Sequence, residues 1–165
     1  MIVVRRVRPD EAETLRGVRL AALADSPSAF GSTYAGEMLL TTEDWAGRAR
    51  GASIGSERAM FLAVADEDVV GLAGGYRPGP APEVVELVSM WTDPSVRRAG
   101  VGRRLVTAVL EWAAATGATE VQLWVTRGNT AAEVLYRSMG FAETGDHQPL
   151  PSDPCRDETR MTLRL

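Results

Sequence analysis

The chain has 165 residues, 45% of them hydrophobic and 24% charged, with a formal net charge of -4. Those figures describe one soluble domain, residues 1–165, with a core of its own, and they weigh against general binding to nucleic acid or to an acidic membrane, a local basic patch aside. One cysteine, Cys155, and one histidine, His147, leave no internal disulfide, no histidine-rich metal site and no Cys–His nucleophile pair; no apolar run spans a bilayer, and a cytoplasmic location without a bound metal is the expectation.

Residues 2–8 alternate as a first strand. Pro9-Asp10 then opens a helix, with Asp10 and Glu13 at capping-box spacing and Leu15, Val18 and Ala22 as its apolar stripe. Asp25-Ser26-Pro27 stops it. Residues 28–40 have no clean period and read as a loop running into a partial helix. A second helix starts near Thr42, carries Trp45 inward and ends before the Gly/Ser-rich stretch 51–56. Residues 60–65 and 69–76 are strands joined at Asp66-Glu67-Asp68, the spacing of a hairpin. A proline-rich connection, Pro78 to Pro82, leads into an apolar strand and then a glycine-bearing turn. Val101, Leu105, Ala108, Val109 and Trp112 recur at helical spacing after that turn, and Gly117 ends the helix. Val121, Leu123 and Val125 alternate as the next strand. Asn129-Thr130 caps a short helix that runs to Met139, Gly140 takes the C-terminal glycine position, and Phe141 begins another strand. Pro149, Pro151 and Pro154 mark a loop, and residues 160–165 close as a strand. Strands and helices in this order make a mixed α/β sheet rather than a doubly wound parallel one.

The stretch 84–105, VVELVSMWTDPSVRRAGVGRRL, orders a strand, a break at Thr92-Asp93-Pro94, a glycine turn and a helix. The first-turn N–H groups of a helix lack partners inside it, and the aligned peptide dipoles leave that end partly positive. Gly100 and Gly102 carry no Cβ, so a bulky anion can approach the main chain between them. Arg97, Arg98, Arg103 and Arg104 add charge, one or two of them expected on phosphate and the rest on the surface. The chain contains no lysine, which excludes a P-loop. Leu105 stands where a dinucleotide fingerprint needs its third glycine, and the next strand does not end in an acid.

The turn 97–102 follows a strand bearing Glu86, and the run from Asn129 through Tyr136 to Gly140-Phe141 comes after both. Together, in this order, these features resemble the GNAT superfamily of N-acetyltransferases along essentially the whole chain. The resemblance implies a mostly antiparallel central sheet of about six to seven strands flanked by about four helices, with acetyl-CoA as co-substrate. It places main-chain groups of Met90, Trp91 and Thr92 against the pantetheine arm. It sets the turn Arg97, Arg98, Ala99, Gly100, Val101, Gly102 and Arg103 around the pyrophosphate and Asn129 on the cofactor arm. Tyr136 matches the tyrosine beside the sulfur, which acts as acid, and Glu86 falls where one branch of the superfamily keeps its general base.

Acyl transfer asks for such residue types independently. An amine with a pKa near 10 is about one part in a thousand neutral at pH 7, which costs roughly 4 kcal/mol before any bond forms. A carboxylate, directly or through a water, takes that proton; a phenol returns one to the thiolate, and strand N–H groups stabilise the developing oxyanion. The resemblance puts the acceptor beside the segment after the first helix, at Phe30, Tyr34 and Glu37, and beside the final loop. An acidic, aromatic lining suits a cationic amine, so a small-molecule amine is the expected partner, with no nucleic acid and no membrane. The alternatives are a protein or peptide N-terminus as acceptor, or a non-catalytic acyl-CoA-sensing module. Superfamily members are often homodimers.

Overall fold

Apolar residues at every second position let a strand bury one face; strands of this kind, with a central apolar strand and a polar, exposed edge strand, pair into one seven-stranded sheet in the computed structural model, which describes Met1–Leu165. In chain order they are β1 (Ile2–Arg6), β2 (Arg58–Ala65), β3 (Asp68–Tyr76), β4 (Val84–Thr92), β5 (Glu120–Thr126), β6 (Ala142–Leu150) and β7 (Asp153–Arg164). Across the sheet the order is β1-β2-β3-β4-β5-β7-β6. Neighbours are antiparallel except β4 and β5, which run parallel and need the helical crossover between them. The helices are α1 (Ala12–Asp25), α2 (Tyr34–Met38), α3 (Thr42–Ser53), α4 (Val101–Ala115) and α5 (Thr130–Ser138). The mixed α/β class and the mostly antiparallel sheet agree with the sequence reading. The fifth helix, α2, occupies the stretch read as a loop and partial helix. No helix is long and apolar enough to cross a membrane.

One face of the sheet carries α4, whose Leu105, Val106, Val109 and Ala113 pack among Val85, Leu87, Val121 and Leu123. Gly75 in β3 makes this approach possible, because a Cβ there would stand 3.0 Å from the side chains of Val109 and Trp112. Leu105 and Leu123 are buried in this layer, and each such side chain contributes about 1.5–3 kcal/mol relative to exposure. On the other face α1 lays Val18, Ala22 and Leu23 among Leu62, Leu72 and Trp91. Trp45 and Ala49 of α3 complete that layer against Leu15. Both helices sit over the β2–β4 side of the sheet.

Three local details differ from the sequence reading. Asp10 and Glu13 do not form a capping box; α1 starts one residue later than Glu11, whose carboxylate accepts from Arg8 N–H at 2.8 Å and binds Arg5 at 2.6 and 2.9 Å. The reciprocal box is found instead at Thr41 and Asp44, ahead of α3. That helix continues through Gly51 to Ser53, since Ala52 is buried in the α1 layer and tertiary packing outweighs glycine's poor helix propensity. Residues 149–154 are not a loop: Pro149 lies in β6 and Pro154 in β7, on either side of a tight Pro151-Ser152 turn. Both prolines are tolerated there because β6 is an edge strand and this end of β7 extends beyond its pairing with β5.

Candidate active site

The parallel pair is short. Only Val84, Val85 and Glu86 of β4 have partners on β5, at Glu120, Val121 and Gln122. Beyond Glu86 the strands part, for a reason visible on the other edge of β4. Its register with β3 shifts between Leu72 and Gly74, and Ser89 takes φ 59°, a β-bulge that bends the strand away. The β4 main chain past Glu86 therefore has no strand partner on the β5 side. Such an edge is ready to pair with an extended ligand. Cavities open on both sides of the bulge.

One is a groove of about 600 Å³. Met90, Trp91 and Thr92 form its floor, Arg97, Arg98, Gly100, Gly102 and Arg103 one end, and Asn129, Ala132 and Leu135 the far wall. Arg98 (φ 66°) and Gly100 (φ 78°) are left-handed, and Gly100 is the N-cap of α4 without a side-chain cap. This winding turns the N–H groups of Arg98, Gly100, Val101, Gly102 and Arg103 away from any main-chain acceptor. A concavity of unpaired N–H groups at a helix N-terminus is an anion cradle. A Cβ on Gly102 would reach to 2.9 Å from Met90 Cε and 3.3 Å from Leu135, filling the space between turn, strand and α5. A pyrophosphate and an extended pantetheine arm fit what the chain presents here: orphaned donors at one end and an open strand edge along the floor.

The arginines of the turn differ in their partners. Arg97 is tied to the carboxylate of Asp25 and to Thr92 O, and Arg103 donates to Ser138 Oγ at 2.7 Å. Hydrogen bonds from Ser26, Trp91 and Arg97 hold the Asp25 carboxyl below the ordinary range. Arg98 lines the groove and has no side-chain partner. Asn129 lines the groove while its Oδ1 accepts from Ala132 N–H at 3.4 Å to start α5. Ala99, Val101 and Tyr136 do not line it; Val101 faces the core. Tyr136 packs edge-on against Phe141 with ring centroids 5.6 Å apart, and burial raises its pKa. Among side-chain polar atoms sealed from solvent only Trp45 Nε1 lacks a partner, so the unpaired Tyr136 hydroxyl keeps an opening. Ser26, Ala29, Ala131 and Ala132 also line the groove, and the sequence reading does not place them there.

The second cavity, about 530 Å³, lies across the bulge and is lined in part by Val88 and Ser89. Glu37 is in it, 5% exposed, but not as an open negative charge. Arg19 Nε donates to Glu37 at 3.0 Å and Arg48 at 3.3 Å, while Ser32 Oγ bridges to the same carboxylate at 3.2 Å. Arg19 also reaches Ser89 Oγ at 3.1 Å and Ser32 Oγ at 2.9 Å. Phe30 does not line the pocket: it is buried under the Arg19 guanidinium, 4.7 Å from its ring centroid. Tyr34 is 45% exposed and points elsewhere. The lining keeps the acid Glu37 and takes its aromatic rings from Trp45 and Tyr76 instead of Phe30 and Tyr34, and it adds three arginines to that single acid. The arginines come from α1, α3 and β2, which the segment 28–40 could not disclose.

Glu86 stands one hydrogen bond behind the pocket wall. The hydroxyl of Tyr76, a lining residue, donates to Glu86 Oε2 at 2.6 Å, and Gln122 Nε2 approaches Oε1 at 3.4 Å. Burial, with the bond to Glu86, pushes the Tyr76 phenol up to about 12. Tyr76 was missed in the sequence, where it reads only as the end of a strand.

An α/β sheet that opens at its one parallel pair, with an anion cradle on one side of the opening and a side-chain pocket on the other, defines a class of cofactor-dependent group-transfer folds. Within that class the chain belongs to the acetyltransferase (GNAT) family, whose model matches residues 20–141. Mycothiol acetyltransferase of Kocuria rhizophila is 33% identical over 90 residues, 51% of this chain and 30% of that protein. Human N-acetylaspartate synthetase is 37% identical over 108 residues, 64% of this chain and 33% of that protein. The match thus spans about a third of either relative's length. YncA of Salmonella typhimurium, solved with its cofactor acetyl-CoA, superimposes with a TM-score of 0.80 over 100% of this chain and 94% of its own, at 17% identity, a likeness of fold.

Proposed function

We propose that the protein transfers the acetyl group of acetyl-CoA to a primary amine of a small molecule by direct attack. One observation carries this reading. Val88 and Ser89 line the pocket, and the next residues, Met90, Trp91 and Thr92, floor the groove, so the two cavities meet across a single bulge of β4. Acetyl-CoA supplies the activated acyl group, a thioester. The unpaired N–H groups of residues 98–103 hold the pyrophosphate, with Arg98 adding charge, and the open edge of β4 aligns the arm as an extra strand. Main-chain N–H at the bulge stabilises charge developing on the carbonyl oxygen.

The amine arrives from the pocket, whose volume suits a small molecule. Its nitrogen forms the new N–C bond as the C–S bond breaks. The proton it sheds passes through the Tyr76 hydroxyl or a water to Glu86, and the leaving sulfur takes one from Tyr136. No side chain needs to be acylated. The test is free-thiol release from acetyl-CoA over a panel of amino acids, polyamines, aminoglycosides and short peptides, with Tyr136→Phe run alongside. Turnover with small amines, depressed in the variant while CoA affinity is kept, supports the reading. CoA binding without turnover in either form replaces it with an acyl-CoA-sensing role, and turnover with peptides alone rejects the small-molecule acceptor.

A further inference from the structure

The charged side chains lining the pocket are Arg19, Arg48, Arg58 and Glu37. Arg19 and Glu37 neutralise each other in a buried pair, with side chains 11% and 6% exposed. Arg19 is further occupied by Ser32 and Ser89 and is not available to a ligand as a whole fork. Arg48 is different. It gives Glu37 one long contact at 3.3 Å, lies 4.9 Å over the Trp45 ring, and keeps its side chain 42% exposed. Arg58, at the start of β2, makes no side-chain hydrogen bond or ion pair, yet lines the same cavity beside Tyr76. The remaining acid nearby, Glu86, lies behind Tyr76, whose hydroxyl donates to it. Two cationic forks on the wall of one cavity, one of them without any partner of its own, make an anion subsite, and planar guanidinium groups match carboxylate geometry.

We propose that the acceptor is an amine that also bears a carboxylate, an amino acid or a close analogue. Its anionic group pairs with Arg48 and Arg58, and its amine is directed to the β4 bulge at Val88 and Ser89. This rests on the acetyl-transfer reading of the same cleft. It narrows the expected small-molecule amine: a polyamine or an aminoglycoside brings several positive charges to a pocket that already has a positive excess, and like charges in a partly enclosed site oppose binding.

The experiment titrates L-aspartate, L-glutamate, L-methionine and L-phenylalanine, their carboxamides, and spermidine into the CoA-saturated protein by calorimetry, and measures thiol release from acetyl-CoA with the same compounds. Arg48→Gln and Arg58→Gln are run beside the parent, with CoA affinity as the control for folding. The expected result is that one or more free amino acids bind at least about tenfold more tightly than their carboxamides, the value of a charge-assisted hydrogen bond. That preference falls toward unity in either variant while CoA affinity is kept. Equal or tighter binding of spermidine or the carboxamides, binding by none of the compounds, or a carboxylate preference unchanged in both variants overturns the proposal. Selective binding of a free amino acid without thiol release leaves the subsite standing and counts against catalysis, so the two readings fail separately.

Discussion

The groove is walled mainly by two short runs of chain, residues 90–103 and 129–138, and its polar groups are largely main-chain N–H groups. The pocket draws its charges from α1, α2, α3 and β2, and every one of them is a side chain. A site made of main chain depends on φ angles and on missing Cβ atoms, so it leaves a compact motif in the sequence. A site made of side chains depends on which helix faces converge, so residues far apart in the chain specify it together. The same difference separates what each region does for the fold. The groove is a space between elements already packed elsewhere, while the pocket contains a buried ion pair that helps join α1 to α2.

That contrast is broken or sharpened most strongly by Glu37→Ala. Removing the acid strands the buried Arg19 guanidinium, and unpairing a buried ion pair costs about 3–5 kcal/mol. A urea titration should show a loss of that size; a loss below about 1 kcal/mol would mean that the pocket's ions are not part of the frame. Gly102→Val attacks the groove instead. A side chain there collides with Met90 and Leu135 and displaces the turn, and displacement of that order lowers kcat/KM for acetyl-CoA about a hundredfold. Steady-state kinetics should show this with less loss of stability than Glu37→Ala; the reverse ranking would invert the comparison.

Tyr136→Phe keeps the packing against Phe141 and removes only the hydroxyl. A thiolate, with a parent pKa near 8.5, leaves with little help, so kcat should fall only about tenfold with CoA affinity unchanged. Glu158→Gln has the smallest expected effect. Burial raises the Glu158 carboxyl above its ordinary value of 4.5, with the Glu86 charge adding to the rise and the bond from Gln148 opposing it. The folded chain then holds a proton that the unfolded chain has released, so this group's contribution to stability declines as pH rises from about 4.5 through the raised value. The variant should be slightly more stable than the parent at pH 7 and lose that advantage toward pH 4. A constant difference across this range would remove the carboxyl's titration as its cause.

Much of the groove wall is legible in the sequence because its determinants are local: Gly100 and Gly102, Asn129 as a cap, and the apolar strand before the turn. Within that stretch the sequence does not separate Val101, which the helix turns into the core, from Gly102, which faces the groove. Nor does it separate Ala99 and Tyr136 from the residues that form the wall. The pocket was poorly legible. Phe30 and Glu37 share one segment, yet Phe30 ends under Arg19, Glu37 in an ion-pair network and Tyr34 outside the lining, because only the packing of α1 and α3 over the sheet decides which way each faces. The final hairpin was hidden for another reason. Pro149 and Pro154 read as loop until it is known that their strand positions have a free edge.

Direct transfer across the β4 bulge requires both substrates bound together. Initial rates of thiol release, with acetyl-CoA and an amine acceptor from the panel varied against each other, test this most directly. Double-reciprocal lines that intersect to the left of the axis are the expected result. Parallel lines, the mark of an acetylated enzyme formed before the amine binds, would contradict it.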